Sequence, residues 1–180
     1  LLDEDGRRIF WTWVLGRRSP ETSAASGWSG VMSLPRVMSF GEDGRLHIEP
    51  VDELMSLWHN PRVLEDLRLA DGQEMLLQTI SGDALCLEVV ADVPESGEFS
   101  LALRRSPDAE EQTVISYNYT SGLLSIDFSR STLDETVHYS QYIFVGGIDN
   151  PEVSVQRAPL RLVPDEPLSL RIYLDRSILE

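Results

Sequence analysis

Apolar and polar positions alternate with a period of two along most of this 180-residue chain, the pattern of strands with one buried face. Residues 8–15 are rich in aromatic and β-branched side chains and predict a first strand. Residues 16–27 are small and polar and predict a loop. Residues 28–40 are extended again. Within them Pro35 has no N–H for a ladder, so it demands an edge, a bulge or a strand start. Gly41-Glu-Asp-Gly44 predicts a tight turn, and Arg45 to Glu49 return as a third strand, giving a small antiparallel meander. The period then changes. Val51, Leu54, Met55 and Trp58 fall at helical spacing behind Pro50, with Asp52 and Glu53 in the first turn. This predicts a short helix and a linker through Asn60-Pro61. Farther on, Leu85, Leu87 and Val89 share one face, as do Phe99, Leu101 and Leu103. Thr113, Ile115, Tyr117 and Tyr119 form another such row. Ser121-Gly122 predicts a turn, Leu124, Ile126 and Phe128 a return strand, and residues 153–163 and 168–174 two more. Short strands separated by Gly, Pro and Asp predict an all-β, antiparallel sandwich or barrel. The chain opens on Leu1, and the alternation of residues 168–180 runs to its end, so the expectation is a segment of a larger protein.

Charge narrows the partners. The net charge is −15, and all 15 basic residues are arginine. Phosphate backbones and anionic lipid surfaces both need clustered cations. Nucleic acid and membrane are therefore not expected partners, whereas neutral ligands such as sugars fit. Cys86 is the single cysteine, so no internal disulfide forms; between Leu85 and Leu87 it reads as a small packed residue. His47, His59 and His138 lack Glu or Cys at ligand spacing, so no metal site is expected, and no cofactor is implied. The acidic pairs Glu110-Glu111, Asp134-Glu135 and Asp165-Glu166 do not converge if they lie in strands, where neighbours face opposite ways. Asn118-Tyr119-Thr120 matches a glycosylation sequon. Tyr117, Tyr119, Tyr139 and Tyr142 read either as half-buried sheet surface or as an aromatic platform for a sugar chain.

Three clusters carry a resemblance: Trp28-Ser-Gly30-Val-Met-Ser33-Leu34-Pro35-Arg36; Leu46-His-Ile-Glu49-Pro50-Val51-Asp-Glu53-Leu54; and Asp175-Arg176-Ser177-Ile-Leu-Glu180. In this order the chain resembles the C-terminal part of glycoside hydrolase family 32, the β-fructosidases: invertases, levanases, inulinases and sucrose-6-phosphate hydrolases. Arg8-Ile9 with Trp11 and Trp13 is similar to the strand preceding the first cluster. The chain departs from the family at Val37, where Glu is frequent, and at Asp127-Phe128-Ser129-Arg130, which replaces a compact Asp-Arg-Ser.

The resemblance implies a β-sandwich preceded by part of a β-propeller blade and a short linker helix. Residues 1–50 would end the last blade, residues 51–61 form the linker helix, and residues 62–180 belong to a C-terminal sandwich that continues beyond Glu180. It also implies that the parent acts on sucrose or fructan through propeller blades outside this chain, with homo-oligomer contacts as a further role. The family's Trp-Met-Asn-Asp-Pro, Arg-Asp-Pro and Glu-Cys motifs, which carry its reactive carboxylates, are absent from the sequence, so no catalytic residue is assigned. Trp28 becomes the substrate-rim candidate, with packing between blades as its alternative. Arg36, Asp175, Arg176 and Glu180 become structural or interface candidates. The rival reading is a stand-alone carbohydrate-binding β-sandwich.

Overall fold

The computed structural model describes residues 1–14, 18–135, 137 and 154–180. His138, Tyr139 and Tyr142 lie outside the described residues. The architecture is all-β and antiparallel, as the period-two pattern requires. Elements run in the order β1 (Arg8–Phe10), β2 (Trp13–Val14), α1 (Pro20–Ser26), β3 (Val31–Met32), β4 (Arg36–Phe40), β5 (Leu46–Pro50), a 3-10 helix (Asp52–Leu57), β6 (Ala84–Ala91), β7 (Glu98–Leu103), β8 (Gln112–Asn118), β9 (Leu123–Arg130), β10 (Val155–Pro159), β11 (Leu168–Asp175) and β12 (Ile178–Leu179). The sheets are ordered β1-β4-β5, β2-β3, β10-β9-β8-β7 and β12-β11-β6.

Two compact units are distinguished: residues 1–12, 32–87 and 172–180, and residues 13–31 and 88–171. In the first, β4 pairs antiparallel with both β1 and β5, placing Phe40 opposite Leu46 and Met38 opposite Ile48. Gly44, at φ +74°, closes the β4–β5 turn, and the Gly41 N–H donates to the Arg45 carbonyl at 2.9 Å. Pro35 sits just outside β4, and its carbonyl accepts the Val51 N–H at 3.1 Å. Val51, Ile172 and Leu174 are the buried apolar residues of this unit.

The second unit is organised around the β10-β9-β8-β7 sheet. A register irregularity between Gln112 and Val114 interrupts the β8–β9 ladder. The predicted Ser121-Gly122 turn forms, with Gly122 at φ +61° and the Asn118 side-chain oxygen accepting the Ser121 N–H at 2.9 Å. That bond gives the sequon asparagine a structural task. Leu103, Ile115, Tyr117 and Leu168 form the buried core, drawn from the alternating rows anticipated in the sequence. Cys86, in the part of β6 that belongs to the first unit, is half-buried.

Five local expectations are corrected. The predicted loop over 16–27 contains α1. Its residues show no apolar stripe, yet they carry a full set of end signals. Ser19 caps the helix by accepting the Thr22 N–H, Pro20 occupies the first turn, and Gly27 at φ +77° ends it. The continuous strand over 8–15 breaks after Phe10, and that over 28–40 breaks at Ser33-Leu34-Pro35, where proline removes a donor. The helix after Pro50 is 3-10 rather than α, begins after Val51, and has no side-chain cap; Pro50 instead ends β5. Lastly, residues 168–180 do not run on as one strand. Arg176 at φ +52° reverses the chain between β11 and β12, pairing Asp175 with Ile178. Arginine in that left-handed region carries a strain of roughly 1–2 kcal/mol.

Candidate functional site

The segment between β2 and β3 positions Trp28. Helix α1 has Arg18 just before its cap and Trp28 just after its terminating glycine. The Arg18 guanidinium reaches along the helix, donating to the Ser26 hydroxyl at 2.8 Å and to the Trp28 carbonyl at 2.9 Å. Its central carbon lies 3.8 Å from the centre of the Trp28 ring system. This is cation–π stacking geometry. Ser26 in turn donates to the Thr22 carbonyl at 2.8 Å. Trp28 remains 46% exposed. At the start of the helix, bonds from the backbone and from Ser19 hold the Glu21 carboxyl below its usual range, so the first turn keeps a negative charge where the helix dipole favours one.

Gly30, two residues on, has φ +72°, and any Cβ there would overlap the Trp13 indole and lie 2.9 Å from the Val14 carbonyl. The Trp-Ser-Gly spacing therefore has a backbone reason. Gly30→Ala is expected to lower stability by at least about 1–2 kcal/mol, read as a shift in the urea midpoint at constant m. Trp13 is more than half exposed and can swing aside, but the Val14 carbonyl is backbone and cannot, so the strain of the left-handed φ sets a lower bound on the cost.

Ser33 is the buried polar residue of the neighbouring strand break. Its backbone N–H donates to the Thr12 carbonyl at 2.8 Å, and its hydroxyl accepts the Thr12 N–H at 2.8 Å. Beyond it, Glu180 gathers the Leu34-Pro35-Arg36 turn. One carboxylate oxygen accepts the Leu34 N–H at 2.7 Å, and the other pairs with the Arg36 guanidinium. The Glu180 backbone exchanges hydrogen bonds of 2.8 and 2.9 Å with Tyr173, so the carboxylate is delivered from the end of β12, paired on β11. Glu180 and Arg36 are thus brought together, whereas Asp175 and Arg176 sit exposed at the hairpin turn. The Arg176 N–H donates to the Asp83 carbonyl. Sequence reasoning missed Arg18 and the Trp13–Gly30 contact. The cap residues flanking 20–26 were the available signal for the first, and a glycine two residues from a tryptophan for the second.

Other candidates resolve structurally. Tyr117 is 1% exposed and meets Tyr119 edge-on at 6.3 Å, which places the first in the core rather than on a platform. Burial and the nearby acids Glu95, Asp165 and Glu166 push the Tyr119 hydroxyl above its ordinary pKa. Arg7 bridges Asp3 at 2.7 Å and Glu53 at 2.6 Å. His47 lies 3.4 Å from Asp43. Among the described residues no group of three or more His, Cys, Asp or Glu side chains could hold a metal ion.

A family model described as "Glycosyl hydrolases family 32 C terminal" matches residues 53–180. The chain belongs to glycosyl hydrolase family 32. It is similar to a levanase of Bacillus sp. (strain L7), 29% identical over 182 residues, an alignment covering 98% of this chain and 18% of that protein. It is also similar to the fructan 6-exohydrolase of Beta vulgaris, 25% identical over 99% of this chain and 33% of that protein. Among solved structures, fructan 1-exohydrolase IIa from Cichorium intybus superposes with a TM-score of 0.79 at 24% identity, covering 99% of this chain and 38% of that one. The E201Q form of that protein has been crystallised in complex with 1-kestose. This family 32 chain thus spans a fifth to two-fifths of these relatives' length, and its sheets carry the sandwich architecture of the family's C-terminal domain.

Proposed function

We propose that this chain is the C-terminal region of a β-fructosidase acting on sucrose or fructan, with a structural and rim-forming role. In this reading residues 1–50 complete the last blade of a β-propeller, the 3-10 segment connects, and the strands from residue 62 onward form the sandwich that shields it. The observation carrying the proposal is the family match, whose aligned relatives extend well beyond the region aligned here. The β4–β5 ladder adds support. Its register puts Phe40, Leu46 and Ile48 on one face, all strongly exposed, with Phe40 at 80%. A bare apolar face of that kind belongs against further protein.

The carboxyl groups point the same way. Retaining glycosidases pair a carboxylate nucleophile with a second carboxylic acid about 5 Å away, whose pKa is raised. Every carboxyl group among the described residues with a resolved shift is held below its ordinary value: Asp3, Glu21, Asp43, Glu53 and Asp108. Glu180 is committed to Leu34 and Arg36. With the Trp-Met-Asn-Asp-Pro, Arg-Asp-Pro and Glu-Cys motifs absent from the sequence, this reading gives the reactive acids of the double displacement, which passes through a fructosyl-enzyme intermediate, to other parts of the parent. The purified 180 residues should release no fructose from sucrose or inulin, while the polypeptide the gene encodes should do so. Hydrolysis by the 180 residues alone overturns the proposal.

A further inference from the structure

We propose that Arg18 is the positioning residue of the Trp28 sugar platform, holding the indole at one angle so that only its far face is offered to a carbohydrate ring. This inference rests on the β-fructosidase reading for the nature of the ligand, but its geometry stands independently. The guanidinium is fixed at three points: the Ser26 hydroxyl, the Trp28 carbonyl and the indole face. Two of these belong to Trp28 itself, so backbone and ring are clamped together. Helix α1 makes the clamp reachable, since its cap at Ser19 and its stop at Gly27 bring both ends of a ten-residue excursion onto one guanidinium. Trp28 nevertheless keeps nearly half its surface exposed. With one face stacked under a cation, the other is available for the C–H groups of a sugar. A tryptophan so held does not spend rotamer freedom when ligand arrives. Lysine cannot substitute, because its point charge lacks the planar fork that bonds two acceptors while lying flat on a ring.

The test uses the polypeptide the gene encodes, labelled with 5-fluorotryptophan, with the Trp28 fluorine resonance assigned by its loss in Trp28→Phe. That resonance should move on titration with 1-kestose. Arg18→Met and Arg18→Lys should each displace or broaden it before sugar is added. Both should raise KM for 1-kestose about five-fold while leaving kcat within two-fold. A Trp28 resonance unmoved by Arg18→Met overturns the proposal. So does an Arg18→Lys variant indistinguishable from the parent, and so does a fall in kcat at constant KM. A protein that hydrolyses 1-kestose while its Trp28 resonance ignores the sugar overturns the platform but leaves the functional reading standing. A parent that neither cleaves nor responds to any β-fructoside overturns the functional reading and the ligand named here; the effect of Arg18→Met on the resonance then decides the clamp.

Discussion

Tyr117→Ala should lower stability by about 3–5 kcal/mol, the largest effect of any single substitution considered, read as a drop in the urea midpoint with an unchanged slope. Tyr117 lies in the middle of the β10-β9-β8-β7 sheet, paired with Phe99 on one side and Leu124 on the other. Only 1% of it is exposed, and Leu103, Ile115 and Leu168 supply the rest of that unit's buried core. Truncation removes an aromatic ring from a closely packed centre and leaves a void the sheet cannot collapse to fill. Tyr119 is the internal comparison: half-buried two residues later on the same row, it should cost far less when cut to alanine. Equal costs at both positions would show that the core is not where the geometry puts it.

Glu180→Ala should cost about 2–4 kcal/mol, because it leaves two donors without their acceptor. Only 11% of the Glu180 side chain is exposed and 28% of the Arg36 side chain, so water replaces the lost contacts incompletely. Glu180→Gln keeps an acceptor for the Leu34 N–H and removes the charge; it should recover about half of the loss. Combining Glu180→Ala with Arg36→Met should cost about 1 kcal/mol less than the sum of the single changes, since the second substitution removes a guanidinium already stranded by the first. Strict additivity in thermal or urea unfolding would mean the two side chains do not interact in solution.

Particular elements show what a sequence displays and what it conceals. The strands of the larger sheet were legible because burial favours every second residue: in β8 Ile115 and Tyr117 are buried while Val114, Ser116 and Asn118 are only half-buried. The Ser121-Gly122 turn was legible because one residue there needs a positive φ. Helix α1 was overlooked because nothing packs under it: none of its residues is buried, so it has no apolar stripe to reveal it, and only the serine cap, the proline and the glycine stop give it away. The helix after Pro50 was mistyped and its start set too early, since spacings of three and four do not separate a 3-10 turn from an α turn over six residues. At the site, Trp28, Arg36 and Glu180 could be singled out by residue type and motif. That Arg36 and Glu180 share a carboxylate could not, because a separation of 144 residues leaves no periodicity to read. Arg18 was hidden for a further reason: an arginine in a stretch of small polar residues looks like solvated surface until the ring beneath it is seen.

The same long separation sets a schedule. Chains leave the ribosome at roughly 5–20 residues per second, so the turn that Glu180 holds waits roughly 7–30 seconds after its own synthesis for its partner to emerge. Through that interval its backbone donor and guanidinium are without the carboxylate that later holds them, so the locking of residues 34–36 trails their own synthesis by 144 residues of chain growth.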